Sequence, residues 1–141
     1  MKKFYLIMLA VIALCGCSTS RYTETTYLLD FRKYVKEGFV INPNSSGLEY
    51  TPLGSLEVRF EEGKKLEGEY KNIIGLKVRK DTNRNVVYGY YPSSERMIEK
   101  IVEECKKLGA NGIVDFRIKY VPSESNKPYW KAEGLAVKIN K

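Results

Sequence analysis

The chain of 141 residues contains no histidine and only three cysteines, so the side chains that most enzymes and metal sites depend on are scarce. Histidine is the commonest general base, and zinc or copper sites need several thiolate or imidazole ligands. The sequence also lacks a Gly-x-Ser-x-Gly elbow and a glycine-rich phosphate loop. A glycosidase-type pair of carboxylates stays open, because such pairs meet only in the fold. We predict a protein that is not an enzyme and that holds no metal and no cofactor.

Long apolar runs are also rare, and the longest uncharged one extends from Phe4 to Leu14. It is shorter than the roughly 20 residues that a helix needs to cross a membrane. Lys2 and Lys3 precede the run and small residues follow it, which is the layout of an export signal. We therefore predict a signal peptide over residues 1–16.

The motif Leu14-Cys15-Gly16-Cys17 ends this segment. It resembles the lipobox of bacterial lipoproteins, in which an aliphatic residue lies three positions before the modified cysteine and a small residue directly before it. The resemblance implies cleavage after Gly16, diacylglycerol on the sulfur of Cys17 and often an acyl chain on its amine, which together anchor a protein to a membrane. The open alternative is a secretory signal with an incidental cysteine. Ser18 in place of Asp implies, by similarity to Gram-negative sorting rules, the outer membrane.

The mature chain would keep 22 basic residues against 17 acidic ones, because Lys2 and Lys3 leave with the signal. This excess suits contact with anionic lipid, lipopolysaccharide or acidic glycan, although it is also common for solubility alone. We expect no nucleic-acid partner in this compartment. Residues 17–26 are predicted to be the lipidated cysteine and a flexible polar tether, and residues 27–141 have the length of one globular domain.

Hydrophobic periodicity predicts an α+β domain. A short amphipathic helix is expected over residues 27–37, and a longer helix begins at Pro92-Ser93-Ser94-Glu95 and ends at Gly109. Alternating apolar residues and turn signals predict the remaining elements. These are a β-prone segment at 39–41, strands at 56–61, 114–120 and 130–139, and a projecting hairpin of 76–80 and 86–91 around a turn at 81–85.

The apolar residues of the longer helix form one stripe. They are Met97, Ile98, Ile101, Val102, Cys105 and Leu108. We expect this stripe to cover the apolar face of a small antiparallel sheet in a two-layer sandwich of β-α-β-β order, with residues 62–91 inserted. Cys105 is predicted to be a core thiol and not a ligand. The opposite face carries charges whose mixed signs suit pairing across strands: Glu57, Arg59, Glu61, Asp115, Arg117 and Lys119.

The segments Leu108-Gly109-Ala110-Asn111-Gly112-Ile113-Val114 and Gly134-Leu135-Ala136-Val137-Lys138 resemble the YbjQ-like family over about residues 54–139. The resemblance implies a dodecin-like fold and assembly into rings. The family's heavy-metal label has no matching ligand set here. The first segment is also similar to RcsF-type outer-membrane lipoproteins, which sense envelope stress. Those domains depend on disulfides, however, and once lipid occupies Cys17 only one free thiol is left in the mature chain.

Aromatic residues are the remaining unusual feature, with 11 tyrosines in the chain. Tyr88, Tyr90 and Tyr91 end the hairpin, and Tyr129 with Trp130 opens the last strand. Such rings suit interfaces and carbohydrate stacking, and they also complete the cores of small sheets. We predict these five residues as a possible ligand or interface surface, with Tyr129 and Trp130 as its exposed pair.

Three functions fit these observations. The first is a lipid-anchored, non-catalytic structural or binding module of the bacterial cell envelope that assembles into a homo-oligomer. The second is a stress sensor or accessory lipoprotein that docks on another envelope protein. The third is a glycan-binding or glycan-processing protein that uses the Tyr/Trp surface.

Overall fold

A computed structural model describes residues 22, 24, 26, 28–81, 86–122 and 127–140. The predicted signal peptide, the lipobox with Cys17 and most of the tether lie outside the described residues. Within the described ranges, no helix is long and apolar enough to cross a membrane.

The predicted α+β class is confirmed in the part of the chain that the structure describes, which contains one main helix and two sheets. In chain order the elements are α1 (Arg32–Lys36), β1 (Val40–Ile41), β2 (Tyr50–Glu61), a 3-10 helix (Gly68–Asn72), β3 (Leu76–Asp81), β4 (Val86–Pro92), α2 (Ser94–Lys107), β5 (Gly112–Val121) and β6 (Tyr129–Ile139).

Four strands form a mixed sheet in the order β1-β5-β6-β2. β6 is antiparallel to both of its neighbours, whereas β1 runs parallel to β5, with Val40 opposite Gly112. The prediction of a purely antiparallel sheet is therefore wrong at this edge. A parallel pair needs a long connection, and residues 42–111 provide it.

The main helix, α2, follows the sequence signals closely. The hydroxyl oxygen of Ser93 accepts a hydrogen bond from the Arg96 backbone N–H at 3.2 Å, which caps the first turn. Gly109 ends the helix at a φ of +77°, a conformation that suits glycine. Five of the six predicted stripe residues are buried. Leu108 is the exception: it is the C-cap, and its side chain is 51% exposed.

The core lies between α2 and one face of the mixed sheet. β6 contributes the small residues Ala132 and Ala136 beneath the helix, and Leu56, Val58 and Phe60 of β2 pack beside them. The predicted alternation along β6 holds, but Leu135 and Val137 lie on the face away from α2, where they pair with Val114 and Gly112. Small side chains on the helix-facing side let the helix approach the sheet closely.

A β-bulge in β5 changes which of its residues face the helix. The register shifts between Val114 and Arg117, and Asp115 has a φ of +53°. Ile113 and Phe116 consequently both join the core beneath α2, while Val114 points to the other face. Regular alternation along the predicted strand 114–120 would place Val114 on the same face as Phe116. This expectation is wrong, because one extra residue in a strand reverses the alternation on either side of it.

The N-terminal helix is shorter than predicted. It begins at Arg32, and residues 28–31 are not helical. Phe31 instead packs edge-to-face on Phe116, with ring centroids 5.9 Å apart. The carboxylate of Asp30 accepts a hydrogen bond from the Arg32 N–H at 2.9 Å.

The predicted hairpin is confirmed as a separate sheet of β3 and β4, whose register runs from Leu76 opposite Pro92 to Asp81 opposite Val86. Its predicted turn at residues 82–85 lies outside the described residues. Two backbone hydrogen bonds between Gly63 and Tyr90, of 3.2 and 2.8 Å, join the hairpin to the chain that follows β2.

Candidate functional site

A cavity of about 500 Å³ lies where the end of β2, the loop 62–75, the base of the hairpin and the start of α2 meet. We call it the hairpin cavity. Val58 and Phe60 of β2 form one wall. The other apolar and aromatic residues in its lining are Leu66, Tyr70, Ile73, Leu76, Tyr90, Tyr91 and Pro92.

Local backbone structure holds these walls together. Alternation along β2 turns Val58 and Phe60 to the side of the sheet on which the helix lies. The Ser93 N–H donates a 2.8 Å hydrogen bond to the Gly75 carbonyl, which ties the loop to the start of α2. Gly75 has a φ of +87°, and a Cβ there would lie 3.0 Å from the Cβ of Arg96. Glycine is therefore required at this close approach.

Positive charge dominates the polar part of the lining. Three basic residues, Lys65, Arg96 and Lys100, accompany one acidic residue, Glu67. Arg59 and Glu61 also border the cavity, but alternation along β2 turns their side chains to the open face of the sheet. Because a cavity with low-dielectric walls concentrates such a field, this excess favours an anionic group inside.

Two of these cations are held in place by the helix on which they lie. Arg96 pairs with Glu99 at 3.3 Å, and Lys100 pairs with Glu104 at 2.8 Å. Hydrogen bonds from Lys100 and Lys107 lower the pKa of Glu104 to about 2. The hydrogen bond between Lys100 and Glu104 in turn raises the pKa of Lys100. Lys100 therefore stays charged throughout the neutral range.

The five aromatic residues predicted as one surface are not brought together. Tyr90 and Tyr91 line the hairpin cavity, whereas Tyr88 is exposed on the hairpin outside that lining. Tyr129 lies beside the guanidinium of Arg59 at 5.1 Å, on the open face of the sheet.

Trp130 packs against Tyr120, with ring centroids 4.9 Å apart, and contacts the core. The prediction that Tyr129 and Trp130 form an exposed pair is wrong, since both are half-buried. Neighbours along a strand point to opposite faces, so the two rings do not share a surface.

Sequence reasoning missed the loop and helix residues of the hairpin cavity. Leu66, Tyr70 and Ile73 stand apart in a polar stretch without strand or helix periodicity. One feature of the sequence could have indicated them: large apolar side chains within a polar loop usually pack against another part of the protein. Arg96 and Lys100 have the ordinary spacing of a solvated helix face, so nothing in the sequence marks them as cavity residues.

The open face of the sheet carries a chain of ion pairs, as its mixed charges suggest, but the pairs across strands run through Lys131 and Glu133 of β6, which were not among the predicted residues. Lys131 bonds Glu57 at 3.0 Å and Glu133 at 2.5 Å, and Lys119 bonds Glu133 at 2.6 Å. These contacts lower the pKa of Glu57 and of Glu133. A glycosidase acid needs a raised pKa instead, so this cluster is suited to holding strands together.

Cys105 is buried with no measurable exposure, which confirms the predicted core thiol. Burial, with a smaller contribution from Glu104, raises its pKa from 9.0 to about 11. Because the thiolate is the reactive form, the native protein keeps this group unreactive.

We expect native Cys105 to be alkylated by iodoacetamide at pH 8 at least roughly 100-fold more slowly than in the urea-unfolded chain, because two pKa units reduce the thiolate fraction by that factor. Peptide mapping after timed alkylation measures the rate at Cys105 in each state. Equal rates in the two states would contradict the assignment of a buried thiol.

Among the residues that the structure describes, no group of three or more histidine, cysteine, aspartate or glutamate side chains is placed to hold a metal ion. The absence of a metal and of a cofactor stays a prediction.

Comparison with protein-family models, with curated proteins and with solved structures finds no match to this chain. The similarities to YbjQ-like and RcsF-type proteins therefore remain predictions.

Proposed function

We propose that the protein is a lipid-anchored component of the bacterial envelope, and that its domain is a non-catalytic binding module with the hairpin cavity as its site. The lining of this cavity carries the proposal. Apolar and aromatic walls meet a few basic groups, which is the usual composition of a small-molecule site. Within this described lining there is no serine, threonine, cysteine or histidine. The composition of the lining therefore favours a binding role.

The ligand class that suits the cavity is a small organic anion with an apolar body. Phe60, Leu66 and Tyr70 offer surface for the body. Lys65 and Lys100 offer charge for the anionic group. A cation beside low-dielectric walls attracts an anion more strongly than the same cation in bulk water.

A fluorescent anion, anilinonaphthalene sulfonate, tests the cavity. We expect Lys65→Glu to weaken its binding roughly tenfold, because reversal of one nearby charge opposes the sulfonate. Lys64→Glu is the matched control, since Lys64 is exposed, makes the same change in net charge and is outside the lining. Fluorescence titration measures both dissociation constants. Equal affinities for the wild type and both variants would contradict a ligand site here.

The lipid anchor is tested by metabolic labelling with radioactive palmitate. We expect Cys17→Ser to abolish the label and to release the protein from the membrane fraction, because the sulfur is the attachment atom. Cys15→Ser is the matched control and should keep the label, since residue 15 leaves with the signal. A labelled Cys17→Ser protein would contradict the proposal.

The finer fold and the oligomeric state also stay proposals. If the inserted 3-10 helix and hairpin are set aside, β2, α2, β5 and β6 have the β-α-β-β order of a dodecin-like unit, which supports the YbjQ-like similarity. β2 lies at an edge of the mixed sheet, and an edge strand offers backbone groups to another chain. Light scattering tests self-assembly, and a strict monomer would contradict it.

The sensor and glycan hypotheses are not favoured by a specific contact. Separation of Tyr129 from Trp130 removes the continuous aromatic surface on which the glycan hypothesis depended.

A further inference from the structure

The hairpin exposes apolar side chains on a part of the molecule that the core does not cover. Val78 is 40% exposed, Val86 48% and Tyr88 49%, and Ile74, directly before β3, is 89% exposed. A two-stranded hairpin alone is marginally stable in water. Apolar exposure concentrated on such an element marks an interaction surface.

Basic residues accompany these apolar ones. β3 contains Lys77, Arg79 and Lys80, against one acidic residue in the sequence of the two strands. Arg79 is partly occupied, since it lies 3.5 Å from the Glu62 carboxylate and 5.8 Å from the Tyr91 ring. Lys77 and Lys80 are exposed. The hairpin therefore combines positive charge with apolar and tyrosine side chains.

The chain enters the domain beside this element. Asp30 and Ile74 line the same surface depression, so the residues that lead back to Cys17 approach the base of the hairpin. Residues 18–29 can span at most about 40 Å. A six-residue strand such as β3 spans about 20 Å. An anchor at Cys17 therefore permits the hairpin to reach the same surface in which the lipid is embedded.

We propose that the hairpin docks on an anionic lipid surface by the edge of β3 that does not pair with β4. Lys77 and Lys80 lie on opposite faces of this strand, and an edge-on approach brings both toward the headgroups. The proposal rests on the lipid anchor described above. Each lysine close to an anionic leaflet strengthens binding about fivefold. A purely apolar partner surface would leave the basic residues without a counterpart.

The test uses the protein as the cell makes it, mixed with vesicles of phosphatidylcholine alone or of phosphatidylcholine and phosphatidylglycerol. We expect amide hydrogen exchange in β3 and β4 to slow at least about fivefold on the anionic vesicles relative to the neutral ones, with exchange in α2 unchanged. The double variant Lys77→Glu, Lys80→Glu should lose this slowing.

The control is Lys107→Glu, Lys138→Glu, which makes the same change in net charge at the far end of α2 and β6 and should keep the slowing. Equal exchange on both vesicles, or an equal loss in the control, would overturn the docking. Vesicle flotation distinguishes a failure of hairpin docking from a failure of the lipid anchor. Protein that floats with both vesicles but shows equal exchange contradicts docking alone, whereas protein that floats only with anionic vesicles contradicts the anchor and supports docking.

Discussion

Ile101→Ala is expected to lower the free energy of unfolding by about 3 kcal/mol. Ile101 has no exposed surface and lies in the middle of the apolar stripe of α2, against the sheet. Its removal loses the transfer free energy of the deleted carbons and leaves a cavity. Small neighbours cannot fill that cavity, because Ala132 and Ala136 have no rotamers with which to reach it.

Urea titration followed by far-ultraviolet circular dichroism measures this loss. Val35→Ala is the matched control, because Val35 is 60% exposed on α1. It should change stability by no more than about 0.5 kcal/mol. A loss below about 1 kcal/mol for Ile101→Ala would contradict the packing of α2 on the sheet.

Asp115→Val is expected to cost about 2 kcal/mol, and Asp115→Gly to cost little or nothing. The backbone at this bulge has a φ of +53°. A β-branched side chain is strained in that region, aspartate and asparagine tolerate it, and glycine is unstrained.

The same urea titration, applied to Asp115→Val, Asp115→Asn and Asp115→Gly, separates backbone strain from side-chain contacts. The expected order of stability places the asparagine and glycine variants close to the wild type and the valine variant well below it. If the glycine variant were as unstable as the valine variant, the side chain of Asp115 would be the important group and the strain account would be wrong.

Local signals in the sequence were sufficient for α2 and for the hairpin strands. Ser93 and Gly109 mark the ends of α2 by chemistry that acts within one turn, and the apolar stripe has a period that only a helix satisfies. The turn residues between 81 and 85 predicted the hairpin in the same way. In each case the determining interactions join residues close in sequence.

The features that sequence reasoning missed depend on contacts between distant residues. The bulge at Asp115 has no distinctive residue type, and it moves Val114 to the other face of the sheet. Parallel pairing of Val40 with Gly112 links segments that no short-range pattern connects. Leu135 and Val137 are larger than Ala132 and Ala136, so hydrophobicity alone does not indicate which face of β6 lies beneath the helix.

The hairpin cavity could not be predicted from the sequence for the same reason. Its walls come from β2, a loop without periodicity, the base of the hairpin and the first turns of α2. The sequence predicts Tyr90 and Tyr91 as surface residues from their aromatic character alone. The residues that line the cavity with them, such as Leu66 and Lys100, are brought together only where four elements of the fold meet.

The position of β6 in the sheet determines when the domain can fold. β6 is the last strand along the chain, yet it lies between β5 and β2, and it is the neighbour to which β2 is bonded within the mixed sheet. Tyr50 and Ile139 are paired although most of the domain separates them in sequence. Contacts of such high contact order form slowly, and β2 has to wait for residues 129–139. Before those residues are synthesised, β2 has no partner in the mixed sheet, so this sheet is completed only after almost the whole domain has been made.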